Sequence, residues 1–469
     1  MMARGTRVAG LLCAVLVACT SQSSEDPDTG ERRAKGSEEQ RPNVLIFLTD
    51  DQREQGTLEV MGKMRRWFER GGTRFTEAYA TTPLCCPYRA TMFSGRYAHN
   101  HGVERNQVPK KLDQDATVQR YLRDAGYTTA VVGKFLNNWP VDEDPPNFDR
   151  WAAYKSGANE RANVYDKAKF NIDGNIRRIG QYNTDFIADT AVGLLQDFEQ
   201  DDDAPWLMYV TPYAPHAPFD AGPKYNGTDV PPLRSTPATE ESDRSDKPPF
   251  VTNEPPVETS VIERLRAKQL RTLRGMDDLV DAVMSKAEEL GEDNTLAFYT
   301  SDGGYLWGEH GLMRKKLAYS DSIGIPLFMR WPGAVEGGVK DPRIVANVDL
   351  APTILEAAGV TPDLVYPMDG TSMLGSDDRD FILSEHFPGL TTDITHWATL
   401  RARDYQYIEH YNSDGEVAFR EYYDLVEDPW QLVNLLGDGD TGNDPDEATL
   451  ADLAKELVKA RRCKGDACP

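Results

Sequence analysis

Val44-Leu45-Ile46-Phe47-Leu48-Thr49-Asp50-Asp51 is a run of five large apolar residues that ends, after Thr49, on two adjacent carboxylates. Consecutive apolar residues without polar alternation describe a strand buried on both faces, as in a parallel sheet covered by helices. Three further stretches repeat the plan. Thr129-Ala130-Val131-Val132 runs into Gly133-Lys134, Trp206-Leu207-Met208-Tyr209-Val210 into Pro212 and Pro215-His216, and Leu296-Ala297-Phe298-Tyr299 into Ser301-Asp302. Each delivers a charged or imidazole side chain at or just past its carboxyl end, the edge where open α/β sheets bind ligands. Residues 41–359 therefore read as an α/β domain with a mainly parallel sheet between helices. Asp50, Asp51, Lys134, His216 and Asp302 are expected to meet in one cleft.

Outward from these strands the pattern changes. Residues 223–256, rich in Pro, Ser, Thr and charge, read as a long surface excursion. Residues 260–290 carry Leu, Ala and Val at helical spacing. Beyond residue 371, short alternating runs at 395–400 and 404–410 predict an antiparallel sheet, and residues 446–462 a closing helix. The expected division is a catalytic domain over 41–370 and a smaller C-terminal subdomain over 371–469. The chain of 469 residues is long enough for both.

The first residues read as a targeting segment. Arg4 and Arg7 precede an apolar stretch at 8–18 that is too short to span a membrane. Leu16-Val17-Ala18-Cys19 resembles a bacterial lipobox, in which Cys19 would be acylated and become the first mature residue. Residues 1–18 would then be a lipoprotein signal peptide and the polar residues 19–40 a tether. This predicts an exported protein attached to the membrane only through its N-terminal lipid. An exported location permits disulfides, and Cys463 and Cys468 are candidates to pair. The formal net charge of −24 argues against nucleic-acid binding, which depends on clustered Lys and Arg. Repulsion of an anionic substrate is screened beyond about 8 Å at physiological salt.

Asp50 and Asp51 at one strand end, with Asp302 at another, are a hard-cation signature, because adjacent carboxylates are costly together unless a cation neutralises them. Oxygen ligands favour Ca²⁺ or Mg²⁺ over zinc. Cys85-Cys86-Pro87-Tyr88-Arg89 has the form C-x-P-x-R and leads into a helix entry. The stretch LCCPYRATMFSGRYAHNHGV at 84–103 resembles the signature of the sulfatase family of the alkaline phosphatase superfamily. RPNVLIFLTDDQ at 41–52, AGYTTAVVGK at 125–134, TPYAPHAPF at 211–219 and YTSDGGYLWGEHGL at 299–312 follow in the family's order. So do IPLFMRWPG at 325–333, VDLAPTILEAAG at 348–359 and YDLVEDPWQLVNL at 423–435. CCP-R, YAHNHGV and GKFLN are most similar to the N-acetylglucosamine-6-sulfatase and extracellular glucosaminoglycan sulfatase branch.

That resemblance implies a sulfuric ester hydrolase of alkaline-phosphatase-like fold. A formylglycine-generating enzyme would oxidise Cys85 to formylglycine (3-oxoalanine). One hydroxyl of the hydrated aldehyde would attack sulfur, and the second would then eliminate sulfate. Ca²⁺, ahead of Mg²⁺, would be held by Asp50, Asp51, Asp302 and the modified Cys85. Arg89 would hold the formylglycine hydrate, Lys134 and Lys315 would bind sulfate oxygens, and His216 would protonate the leaving alcohol or bind sulfate. Lys315 is preferred to Lys316 because it lies four residues before Tyr319, the family spacing. Of the two histidines flanking Asn100, His101 is assigned to the site over His99. The substrate class is a small or oligosaccharide sulfate ester, either a sulfated sugar or an aryl sulfate.

The sequence departs from the family at Gly303, where many sulfatases carry Asn or His, and at Leu136, where many carry His. Two other readings compete. A phosphoester or phosphonate hydrolase can share the fold and the formylglycine. A catalytically weak lipoprotein that binds sulfated glycans would lean on Gly303 and must set aside Cys85, Arg89, Lys134, His216 and Lys315.

Overall fold

The computed structural model describes residues 41–157, 163–201, 204–388 and 394–469. Cys19, with the expected signal and tether, lies outside the described residues.

Ten strands form the main sheet: β1 (Asn43–Thr49), β2 (Thr73–Tyr79), β3 (Thr128–Gly133), β4 (Arg150–Tyr154), β5 (Lys169–Ile172), β6 (Asn175–Arg178), β7 (Trp206–Thr211), β8 (Thr295–Ser301), β9 (Leu327–Arg330) and β10 (Val339–Ala346). Their order across the sheet is β10-β2-β9-β8-β1-β7-β3-β4-β5-β6. The centre, β8-β1-β7-β3-β4, is parallel throughout. Antiparallel pairing enters at β9 and at the β5–β6 edge.

All residues of β1 are buried. Leu45 and Phe47 enter a core on one face, and Val44, Ile46 and Leu48 a core on the other, as the two-residue period of a strand requires. The first core is sealed by the helix Thr259–Leu290. Its Leu270, Leu273, Met276, Val280, Val283, Met284 and Ala287 recur at steps of three, four and seven. This is the helix expected over 260–290.

The C-terminal strands β11 (Phe381–His386), β12 (His396–Ala402), β13 (Tyr405–Tyr411) and β14 (Val417–Asp424) pair antiparallel in sequence order. The closing helix is Glu447–Ala460, with Asp446 accepting from Ala448 N and Thr449 N as its N-cap. The small sheet shares a core with the main body: Trp397, Leu400 and Tyr407 cluster with Tyr79, Tyr97, Leu306 and Tyr319. Residues Arg41–Pro469 form one compact unit. Cys463 and Cys468 are joined as a disulfide. Among the described residues no helix is long and apolar enough to cross a membrane.

Candidate active site

Three strand ends, one helix start and the loops that carry His216 and Lys315 supply the cluster. Asp50 and Asp51 follow β1, Lys134 follows β3, and Asp302 follows β8. Gly133 is required for the delivery of Lys134, because a Cβ there would lie 2.1 Å from the Thr211 carbonyl oxygen. The Thr211 hydroxyl then donates to the Lys134 carbonyl at 2.8 Å. Asp50 N donates to the Ala214 carbonyl at 3.1 Å, and Asp302 N to the Thr49 carbonyl at 3.0 Å, which locks the three loops together.

The helix Cys85–Ser94 brings Cys85 as its first residue and ends on Gly95 in the left-handed conformation. Its ten residues are all buried. Asn106 Oδ1 accepts from Cys86 N at 2.9 Å at the helix start. The helix N-terminus points positive partial charge at the cluster, which favours an anion there. Cys85 Sγ lies 3.4 Å from Asp50 Oδ1 and 4.0 Å from Asp51 Oδ1, and Lys315 Nζ donates to it at 2.9 Å. Cys86 Sγ turns the other way, toward the Asn137 carbonyl at 4.0 Å.

The ion pairs are buried and interlocked. Lys134 Nζ donates to Asp50 Oδ2 at 2.5 Å and lies 3.6 Å from Asp302 Oδ2. Arg89 Nε donates to Asp302 Oδ2 at 2.8 Å and its Nη1 to the Lys134 carbonyl at 2.5 Å, while Nη2 is buried with no partner. Lys315 Nζ also donates to Asp51 Oδ1. Asp50, Asp51 and Asp302 are thus matched by Arg89, Lys134 and Lys315. Burial would raise the Asp50 carboxyl, but Lys134, His216 and Arg89 outweigh it and hold the group at about 2. Burial would lower both lysines, and Asp50 for Lys134 and Asp51 for Lys315 reverse it, so both are raised. Burial and Asp302 push the Cys85 thiol up to about 12. A thiol so placed is protonated at neutral pH and is a poor nucleophile as it stands.

His216 Nδ1 donates to the Ala217 carbonyl at 2.7 Å, which leaves Nε2 facing Asp51 Oδ2 at 3.6 Å. Burial lowers its pKa, and Asp51 and Asp50 only partly offset this. Tyr165, which nothing in the sequence marked, donates its hydroxyl to the His216 carbonyl at 2.7 Å.

Asp50, Asp51, Cys85 and His216 can each offer one ligand atom, all within 4.8 Å of one another. The expected metal set had Asp302 where this grouping has His216. Asp302 instead accepts from Asp51 N through Oδ1 and from Arg89 through Oδ2, although each oxygen keeps a further lone pair. The carboxylates of Asp50 and Asp51 suit a hard divalent cation, while Cys85 and His216 bring a sulfur and a nitrogen to the same grouping.

The structure sets His101 apart from these residues. Its Nδ1 accepts from Val103 N at 3.0 Å, so Nε2 carries the proton and faces Thr91 Oγ1 at 3.0 Å. Burial pushes it well down, which makes it a neutral brace for its own helix turn. His99 is likewise engaged, with Glu385 at 2.9 Å. The Lys316 carbonyl accepts from Trp397 Nε1 at 2.9 Å.

The family model described as Sulfatase matches residues 42–360, and that described as N-sulphoglucosamine sulphohydrolase, C-terminal, matches 308–462. The chain is 34% identical over 367 residues to the extracellular sulfatase SULF-1 homolog of Drosophila melanogaster, covering 73% of this chain and 32% of that protein. A putative extracellular sulfatase Sulf-1 homolog of Caenorhabditis elegans is covered over 48% of its length. The chain thus spans about a third to a half of the length of these two relatives. It is 28% identical over 494 residues to the N-acetylglucosamine-6-sulfatase of Homo sapiens, covering 91% of this chain and 86% of that protein. A solved structure described as a complex with its substrate D-glucosamine-2-N,6-O-disulfate superposes with a TM-score of 0.74 at 24% identity. It covers 90% of this chain and 98% of that one, and at that identity the likeness is one of fold.

Proposed function

This chain belongs to the sulfatase family, and from that premise we propose that it hydrolyses the sulfate ester of a sulfated sugar, using a formylglycine made from Cys85 and a bound calcium ion. The observation that carries the reading is the setting of Cys85: a helix N-terminus, two carboxylates and the Lys315 ammonium surround a thiol that burial keeps protonated. Oxidised to formylglycine, this position would supply a hydrated aldehyde whose hydroxyl attacks sulfur. Calcium, held by Asp50, Asp51 and the modified Cys85 with Asp302 beside them, would polarise the sulfate and acidify that hydroxyl.

The chain's own residues do the rest. Arg89 presents its unpartnered Nη2 to the hydrate. Lys134 and Lys315 hold sulfate oxygens as point charges. His216 serves the departing alcohol. Its Nδ1–H is fixed on the Ala217 carbonyl, so Nε2 is the ring position left to carry the proton delivered to the leaving oxygen. Burial makes the protonated ring a strong acid for that task. Residues 41–370 would supply these groups, and residues 371–469 would border the cleft as a C-terminal subdomain.

A relative named N-acetylglucosamine-6-sulfatase is covered over 86% of its length, so 6-O-sulfated glucosamine is the first substrate to test. Relatives named as extracellular sulfatases support export, and we add lipidation at Cys19 as the anchor. The test is turnover by protein co-produced with a formylglycine-generating enzyme, on matched sulfate and phosphate esters. Preferential sulfate release that Cys85→Ala abolishes is expected. Preference for the phosphate ester, or sulfate release that survives Cys85→Ala, would contradict the reading.

A further inference from the structure

Arg53 follows Asp51 by two residues, and its side chain joins a second buried cluster of charge. Its Nη1 donates to Glu309 Oε1 at 2.8 Å and its Nη2 to Asp321 Oδ1. The side chains of Arg53, Glu309 and Asp321 are 5%, 4% and 14% exposed. The guanidinium lies 4.6 Å from the centroid of the Trp307 ring, and Trp307 N donates to the second Glu309 oxygen at 2.5 Å. The planar fork of an arginine suits it to span two carboxylates at once. Taking such charges out of water offsets most of their attraction, so a buried triad adds little net stability. What it fixes is the relative placement of the segments that carry it.

Those segments bracket Lys315, which lies midway in sequence between Glu309 and Asp321. Leu306 N donates to the Arg314 carbonyl at 2.9 Å and Gly308 N to the Leu312 carbonyl at 2.7 Å, so residues 306–314 form a hairpin with Glu309 at its tip. Beyond Lys315, Leu317 N donates to Ser322 Oγ at 3.1 Å. The Asp321 carbonyl accepts from Tyr305 N at 2.8 Å, which closes the loop on itself. The main chain of Lys315 is thus held on one side through Arg314 and on the other through Leu317. Its Nζ donates to Cys85 Sγ at 2.9 Å and to Asp51 Oδ1. A lysine on a flexible stem is placed only as well as its main chain is. One short segment after β1 therefore meets this loop twice: Asp51 takes the ammonium, and Arg53 holds the two anchors.

We propose that Arg53 is a positioning residue for Lys315: by clamping Glu309 to Asp321 it sets the loop that brings the ammonium to Asp51 and Cys85. This deepens the sulfatase reading, on which the role of Lys315 toward sulfate rests.

The test is a double-mutant cycle in the full-length, matured enzyme. Turnover of 4-nitrophenyl sulfate and glucosamine 6-sulfate is taken per formylglycine formed, in Arg53→Met, Lys315→Ala and the two together. Arg53→Met is expected to lower kcat/KM about tenfold, since slight misplacement of a group at the reacting centre is that costly. On top of Lys315→Ala the same substitution should cost less than about twofold, because its effect passes through Lys315. An equal loss in both backgrounds would overturn the proposal, since Arg53 would then act on the fold at large. Parent kcat/KM in Arg53→Met would overturn it too. Where Lys315→Ala turns over too slowly to measure, the cycle is read on calorimetric binding of glucosamine 6-sulfate to Cys85→Ala protein, with the same two outcomes. If Arg53→Met does not fold, Glu309→Gln, which removes the charge and keeps the size, takes its place with the same expectations. Hydrogen exchange reads the loop without reference to turnover. Amides of residues 304–322 should exchange faster in Arg53→Met, while the helix Cys85–Ser94 stays as protected as in the parent. Unchanged exchange over 304–322 would overturn the clamp. If the parent hydrolyses no sulfate ester, the sulfatase reading has failed, and the exchange result alone decides the clamp.

Discussion

Arg89 Nε donates to Asp302 Oδ2 at 2.8 Å, and neither side chain exposes any surface. The pair joins the helix that begins at Cys85 to the end of β8, so the guanidinium proposed to hold the hydrated aldehyde also fixes the helix to the sheet. Removing one partner leaves a buried charge short of its match, which costs about 3–5 kcal/mol. Arg89→Met is therefore expected to lose both turnover and stability, with denaturant melts showing a loss of that size. Unchanged stability in Arg89→Met would mean that Lys134, 3.6 Å from the same oxygen, neutralises Asp302 unaided.

Gly303 is the family departure nearest the proposed metal ligands. It has φ +154°, and a Cβ would meet only the Pro83 backbone at 3.8 Å. Space exists, but the backbone conformation is one that side chains rarely adopt, at a cost of about 1–3 kcal/mol. Gly303→Asn should therefore lower the melting temperature without tightening calcium, as read by chelator titration of activity. The parent should lose turnover to a chelator and regain it with added Ca²⁺. A Gly303→Asn enzyme that is both stable and tighter for calcium would count against this account of the turn.

Acid sensitivity is expected from the C-terminal sheet. His396 is pushed down to about 4 by burial and then by Arg461, and its Nε2 is buried without a partner. Its folded pKa lies below the unfolded value near 6.5, so the unfolded chain takes up the proton first. Its contribution is complete above about pH 6.5 and is lost as pH falls toward 4, by at most about 1.4 kcal/mol per pH unit. His396→Phe keeps an aromatic ring beside Phe387 and Tyr411 and should flatten the stability profile between pH 6.5 and 4. An unaltered slope would assign the acid sensitivity to other groups.

Anchoring is tested by labelling cells that produce the chain with a fatty-acid analogue. Label on a mature protein that begins at Cys19 is expected, and loss of label in Cys19→Ala should release the protein from membranes. An unlabelled mature protein beginning well after Cys19 would remove the anchor from the account.

The centre of the sheet was legible because Val44 to Leu48 and Leu296 to Tyr299 are apolar without interruption, which only a strand covered on both faces requires. The edges were not. β5 and β6 carry Lys169, Asn175, Arg177 and Arg178, whose exposure erases the apolar signal. Lys134 was legible from Gly133, whose close approach to Thr211 fixes the turn. His101 was misleading for the opposite reason: its neighbourhood in sequence is that of Cys85, but a helix turn carries its ring to Thr91. Tyr165 lies in a stretch without periodicity, and only the fold brings its hydroxyl to the His216 carbonyl.

The central claim is that Cys85, and not Cys86, becomes the formylglycine that performs the reaction. The most direct measurement is the mass of the proteolytic peptide carrying both residues, from protein co-produced with the maturation enzyme and fragmented to locate the change. The account predicts an aldehyde at Cys85, an intact thiol at Cys86, and sulfate release proportional to the converted fraction. An aldehyde at Cys86, or full turnover by protein whose Cys85 remains a thiol, would contradict it.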